Sequence, residues 1–206
     1  MKKFFCIFVS IFFVSCATSR FESAFSPVYL TNSSKYALLP PEAMDGNLDG
    51  IQRMCADFGG TVFDFTVYAI SDSTQLSMTI LNEFGTTMGN LFYDGSNLDF
   101  DSAVFPKNLK AEYIVADFQL CLYKVDELKT ALSKIGLEFE NLLECGADGT
   151  CVDTRILRQK NKMISKITKT YAASDENSSE KTESLKSIRY ENFLRGYSYT
   201  LTSEED

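Results

Sequence analysis

From Gly50 onward the chain alternates between apolar and polar positions. In VFDFTV (62–67), Phe63, Phe65 and Val67 share one side, with Asp64 and Thr66 on the other. LSMTI (76–80) sets Leu76, Met78 and Ile80 against Ser77 and Thr79, and NLDFDS (97–102) sets Leu98 and Phe100 against Asp99 and Asp101. A period of two is that of a strand with one buried face. Gly59-Gly60, Asp72-Ser73 and Asp94-Gly95 supply tight connections between such runs, so the pattern predicts an antiparallel meander. The period then changes. In AEYIVADFQLCLYKV (111–125), Ile114, Phe118, Cys121, Leu122 and Val125 form a helical stripe. Asp126 is placed to cap a second helix, with Leu128, Ala131, Leu132 and Ile135 on one side and Gly136 as its stop. Strand texture returns at Glu138–Glu144, Thr154–Gln159, Met163–Tyr171, Leu185–Glu191 and GYSYTLTS (196–203).

These periods predict an α+β fold, mainly antiparallel β. The expected form is a highly curved sheet or unclosed barrel with two or more short helices as a lid, which satisfies both amphipathic faces. A fully packed α+β core without a cavity is the other arrangement this pattern allows. The expected domain spans 46–203, followed by a tail at 204–206. Residues 16–45 read as a tether and a loose first segment, punctuated by Ser26-Pro27, Asn32-Ser33-Ser34 and Pro40-Pro41. SDENSSEKTES (174–184) has no apolar residue and is expected to be a loop.

The first residues follow another logic. Met1-Lys2-Lys3 precedes an apolar run ending in FFVSCATS (12–19), a run too short to span about 30 Å of hydrocarbon. It looks like a bacterial lipoprotein signal. Ser15 fits the small position before the cysteine, and Phe13 is a looser match to the aliphatic position. The resemblance implies that residues 1–15 are removed and that Cys16 carries acyl chains. The alternative is an ordinary signal peptide in which Cys16 is incidental. Two or three chains at about 0.8 kcal/mol per buried CH₂ hold a protein on a membrane without a spanning helix. Ala17 stands where some bacteria place an inner-membrane retention Asp, so the expected location is the outer membrane, facing the periplasm.

Composition narrows the chemistry. The 206 residues carry 20 basic and 28 acidic side chains, and losing Lys2 and Lys3 makes the chain more acidic still. No basic stripe is present to neutralise nucleic-acid phosphates or to dock on anionic lipid. There is no histidine, which excludes Ser/His and Cys/His nucleophile pairs and most zinc sites. The acids are spread along turns and alternate strand positions, as on a solvated face, so neither an enzyme nor a cofactor is expected. DGNLDG (45–50) resembles the start of a calcium loop, but Gln52 and Ala56 occupy its eighth and twelfth positions. It reads as a turn before the first strand, and no metal is expected.

Of six cysteines, Cys145 and Cys151 flank a Gly-rich tip and are expected to form a local disulfide. Cys55 and Cys121 either pair or sit as small buried residues. The 17 Phe and 10 Tyr are mostly core. If the concave side is not filled, Phe and Met faces are suited to an acyl chain, and the candidate lining is Phe65, Met78, Ile80, Phe100, Phe118 and Leu122.

The segment NLFYDGSNLDFD through FPKNLKAEYIVADFQLCLYKVDELKTAL resembles the bacterial lipoprotein family known as domain of unknown function 3261. The resemblance rests on Asp94-Gly95, Pro106, Asp117, Gln119, Leu120, Tyr123 and Leu128, and it covers roughly 50–203. It departs where a tryptophan is expected near Tyr123, and at two apparent insertions, Cys145–Cys151 and Ser174–Ser184. That family is similar in plan to the lipoprotein localisation proteins LolB and LolA, an unclosed barrel with a helical lid over a hydrophobic cavity. The resemblance implies a membrane-anchored envelope lipoprotein that shelters a lipid or the acyl chain of a lipoprotein client. The alternative is a structural or interaction lipoprotein with a filled core and no ligand. The sequence leaves the ligand and the oligomeric state open.

Overall fold

A computed structural model describes residues 25–103, 105, 109–172 and 184–204. Ten strands form one antiparallel sheet. The first meander is β3 (Leu48–Phe58), β4 (Thr61–Ser71), β5 (Leu76–Leu81), β6 (Thr87–Tyr93) and β7 (Leu98–Ser102). The second is β8 (Glu138–Cys145), β9 (Cys151–Gln159), β10 (Lys162–Tyr171), β11 (Leu185–Asn192) and β12 (Tyr197–Ser203). The last strand of the second meander pairs with the first strand of the other, in the register Phe58↔Tyr197 to Gln52↔Ser203. The spatial order is therefore β7-β6-β5-β4-β3-β12-β11-β10-β9-β8, with β7 and β8 as unpaired edges among the described residues. The barrel does not close, and the chain bridges its edges with α1 (Ala111–Leu122) and α2 (Val125–Ser133).

Local chemistry fixes the corners. Gly59 and Gly60 both take positive φ between β3 and β4, and Asp57 Oδ1 accepts the Gly60 N–H at 2.7 Å. The Asp72 side chain accepts the N–H groups of Thr74 and Gln75, and Asp94 does the same for Ser96 and Asn97. The inner faces of the strands are the apolar ones: Val67, Ala69, Met78, Ile80, Leu91, Ile167, Ile188 and Leu201 are all buried.

Three local expectations change. The stripe running to Val125 is two helices, because α1 stops at Leu122. Tyr123 takes an extended conformation and bridges to Met44, while Asp45 N–H donates to Leu122 O and Lys124 N–H to Ala43 O. The second helix begins one residue before Asp126, which sits in its first turn rather than at the cap. The segment expected to be loose is packed from residue 25 onward. It contains β1 (Val28–Tyr29), β2 (Lys35–Tyr36) and a 3-10 turn (Pro41–Ala43), with Val28, Tyr36 and Leu38 each 1% exposed. Gln119 of α1 holds this strap: its Oε1 accepts from Tyr36 OH at 2.9 Å and Leu39 N–H at 3.0 Å, and its Nε2 donates to Leu39 O at 2.7 Å. The signal segment, Cys16, Pro106 and residues 174–183 of the expected loop lie outside the described residues.

Candidate functional site: a cavity under the first half of α1

Between the first turns of α1 and the apolar half of the sheet lies a partly open cavity of about 450 Å³. Close-packed interiors leave few voids larger than a water molecule, and ligand pockets run from about 300 to 1,000 Å³. The sheet supplies Met54 and Phe58 from β3, Met78 and Ile80 from β5, Leu91 from β6 and Phe100 from β7. The helix supplies Tyr113, Ile114, Asp117 and Phe118, whose spacing puts them on one face. Phe105, Leu109 and Lys110 come from the connection before α1, and Arg195, Tyr197 and Tyr199 from the second meander.

Aromatic rings organise the wall nearest the hairpin tips. Phe105 lies 6.1 Å from Phe65, 6.3 Å from Phe100 and 6.4 Å from Phe58 between ring centroids. Phe58 stacks on Tyr197 at 5.6 Å, and deeper in the barrel Phe118 stacks on Tyr199 at 6.0 Å. Such pairs contribute roughly 0.5–1.5 kcal/mol each beyond burial. They join the two meanders and α1 around the space rather than filling it.

One acid breaks the apolar lining. Asp117 Oδ2 accepts the Tyr197 hydroxyl at 2.5 Å. Asn192 Nδ2 donates to the hydroxyls of Tyr197 and Tyr190 at 3.3 and 3.2 Å, extending the polar contact along β11 and β12. Burial pushes the Asp117 carboxyl up to about 6, against the opposing pull of the Tyr197 and Tyr190 hydroxyls and the Arg195 charge. Asp117 is the only carboxylate among the described lining residues.

The other end of α1 is held by charge. Arg155, on the inner face of β9, donates from Nη1 to Tyr123 O at 2.8 Å and Leu120 O at 3.2 Å. Its Nε meets Asp153 Oδ2 at 2.9 Å, and Lys169 Nζ reaches the same oxygen at 3.0 Å. Asn141 Nδ2 donates to the second Asp153 oxygen at 2.8 Å. Burial works to raise the Asp153 carboxyl, but Arg155 and Lys169 outweigh it and hold it below the usual range. The alternating pattern assigns such acids to a solvated face. Asp153 instead points inward, with Arg155 and Lys169, because Cys151, Asp153, Arg155 and Leu157 share the buried side of β9.

Of the residues proposed from sequence as an apolar lining, Met78, Ile80, Phe100 and Phe118 border the cavity. Phe65 does not: it stacks on Phe63 at 5.8 Å and supports Phe105 from behind. Leu122 lies one turn of α1 below Phe118 and is buried in the filled core. Cys145 and Cys151 are joined by a disulfide. Cys55 is exposed on the outer face and Cys121 is buried against the Tyr199 hydroxyl, so the two do not pair. Asp117, Tyr197 and Phe105 stand outside the lining expected from sequence, although Asp117 is among the residues that carry the family resemblance. Asp117 was detectable as the one charge on a face otherwise made of Tyr113, Ile114 and Phe118.

The family model described as protein of unknown function (DUF3261) matches residues 49–205. The chain belongs to this family. No curated protein matches it. In this DUF3261 chain the match takes in every strand of the ten-stranded sheet apart from Leu48, both helices and the whole lining of the cavity. The packed strap ahead of residue 49 lies outside it. Among the described residues no helix is long and apolar enough to cross a membrane.

Proposed function

We propose that this DUF3261 chain is an envelope lipoprotein whose barrel holds a hydrophobic ligand, a lipid or the acyl chain of a lipoprotein client. The observation that carries this reading is the cavity of about 450 Å³, walled by Met, Phe, Ile and Leu side chains beneath α1. Its mechanism is burial. Each Å² of apolar ligand surface removed from water contributes about 25 cal/mol, and the walls need supply no directional bond. The helix is fastened at its C-terminal end by Arg155 and rests on aromatic rings at its N-terminal end. Tilting about the Tyr123 joint then admits a ligand without unfolding the sheet. Cys16 carries the acyl anchor, and the domain faces the periplasm from the outer membrane, in a role such as lipid or lipoprotein transfer.

Native mass spectrometry of the purified protein tests the ligand directly. Co-purified or exchangeable acyl species are expected; a protein that stays empty when offered lipid is the interaction lipoprotein of the alternative reading. Anchoring is tested separately by Cys16→Ser. Loss of membrane fractionation and of the acyl mass is expected, and an unchanged mass rejects lipidation at that residue.

A further inference from the structure

The cavity is apolar along most of its wall but carries Asp117 about 10 Å along α1 from Lys110, seven residues at 1.5 Å each. A carboxylate offers about four acceptor sites. The donors around Asp117 are the Tyr197 hydroxyl at 2.5 Å and the Tyr190 hydroxyl. Neither cation of the lining is bonded to it. The Arg195 guanidinium lies 4.5 Å over the Tyr113 ring and donates to the carbonyl of Tyr29, and Lys110 is exposed before the first turn of the helix. Among the described residues, Asp117 therefore has acceptor capacity that these two hydroxyls do not fill, and it borders the cavity.

We infer that the cavity selects an amphiphile bearing an uncharged hydrogen-bond donor, an amide N–H or a hydroxyl, which meets Asp117 within the apolar space. An apolar chain without a donor leaves part of the carboxylate desolvated and unpaired, which disfavours it. A carboxylate or phosphate seated against Asp117 meets like charge in a site of low dielectric and is disfavoured more strongly there, because Arg195 is engaged with the Tyr113 ring and the Tyr29 carbonyl and Lys110 lies before the helix. The preference rests on the reading of the cavity as a lipid site and adds the chemistry of the polar group to it.

Displacement of the neutral fluorescent reporter N-phenyl-1-naphthylamine from the purified protein at neutral pH tests both levels. The competitors are decanamide, methyl decanoate and decanoate, which share a chain and differ in the polar group. Decanamide is expected to compete best and decanoate worst, with about a tenfold difference between them. Asp117→Leu is expected to bring decanamide and methyl decanoate to within about twofold of each other, and Asp117→Asn to improve decanoate about fivefold or more. Equal competition by all three, or decanoate as the best competitor, overturns the donor preference while leaving the lipid site standing. Failure of the wild-type protein to bind reporter or competitors removes the lipid site and the preference with it. Should Asp117→Leu not fold, the wild-type order and Asp117→Asn still decide.

Discussion

Under the first turns of α1, the concave face offers Met54, Met78, Ile80, Leu91 and Phe100 and leaves about 450 Å³ unfilled. Under the last turn of the same helix, Arg155, Asp153 and Lys169 are almost fully buried, and their polar atoms meet one another, Asn141, Asp45 and the carbonyls of Leu120 and Tyr123. Burying charge costs several kcal/mol per ion unless partners and geometry repay it, so such a cluster permits one arrangement of the chain around it. Apolar walls impose no such geometry. The contrast gives a helix whose C-terminal end is fixed by a buried charge cluster, and whose N-terminal half, tied by the Asp117–Tyr197 bond and the Tyr113 contacts, lies over an apolar surface. A cavity at the end without that cluster is where a variable apolar guest is most easily accommodated.

The largest effect is expected from breaking the charged end. Arg155→Met strands the carbonyls of Leu120 and Tyr123 and removes one of the two cations on Asp153. A loss of about 3–5 kcal/mol is expected in urea denaturation. A loss under about 1 kcal/mol would mean that the cluster does not hold the joint.

A paired truncation sharpens the same contrast. Ile167 is fully buried in the filled half, whereas Met78 borders the cavity. Ile167→Ala is expected to cost about 3 kcal/mol, and Met78→Ala about half as much, since the latter enlarges a space that already exists. Equal losses at the two sites would indicate that the cavity is closed in solution.

The smallest effect carries a pH signature. The Asp117 carboxyl lies at about 6, above its ordinary value of 3.8, because burial disfavours the charged form. Above pH 6 the folded protein holds an ionised carboxylate that the unfolded chain solvates better, so folding carries a penalty there. As pH falls below the folded value the folded protein takes up its proton first, and once pH is below the unfolded value both states are protonated and the penalty is gone. Asp117→Asn is therefore expected to stabilise the protein by roughly 1–2 kcal/mol at about pH 8 and by nothing measurable at about pH 3. A stability gain that does not change with pH would assign the effect to packing instead.

Much of this plan was legible in the chain, and the reasons divide by the range of the forces. Half-buried antiparallel strands write their inner face at every second residue, so Phe63–Val67, Leu76–Ile80 and Leu98–Phe100 were readable as sheet. The helical stripe was equally clear, but its break at Tyr123 was not. That break is set by backbone contacts from Ala43 to Asp45, which are distant in sequence. The packed strap was hidden for the same reason, since prolines and short polar runs describe a loose segment until Gln119 binds Leu39 and Tyr36. Period-two reasoning also assumes that charge faces water. On β9 it inverts, and only the pairing of Asp153 with Arg155 and Lys169 explains why. The lining was partly readable because Met78, Ile80, Phe100 and Phe118 are apolar on inner faces. Which inner residues border space and which fill it depends on where α1 lies.

The central claim, that the space beneath α1 receives an apolar ligand, is tested most directly by filling it. Met78→Trp places an indole into the cavity, and N-phenyl-1-naphthylamine titration compares the variant with the wild type. Saturable binding by the wild type is expected, weakened about tenfold or more in a variant whose circular dichroism and melting temperature stay close to wild type. Reporter binding of equal affinity in both proteins would contradict the account, because the guest would then be held elsewhere.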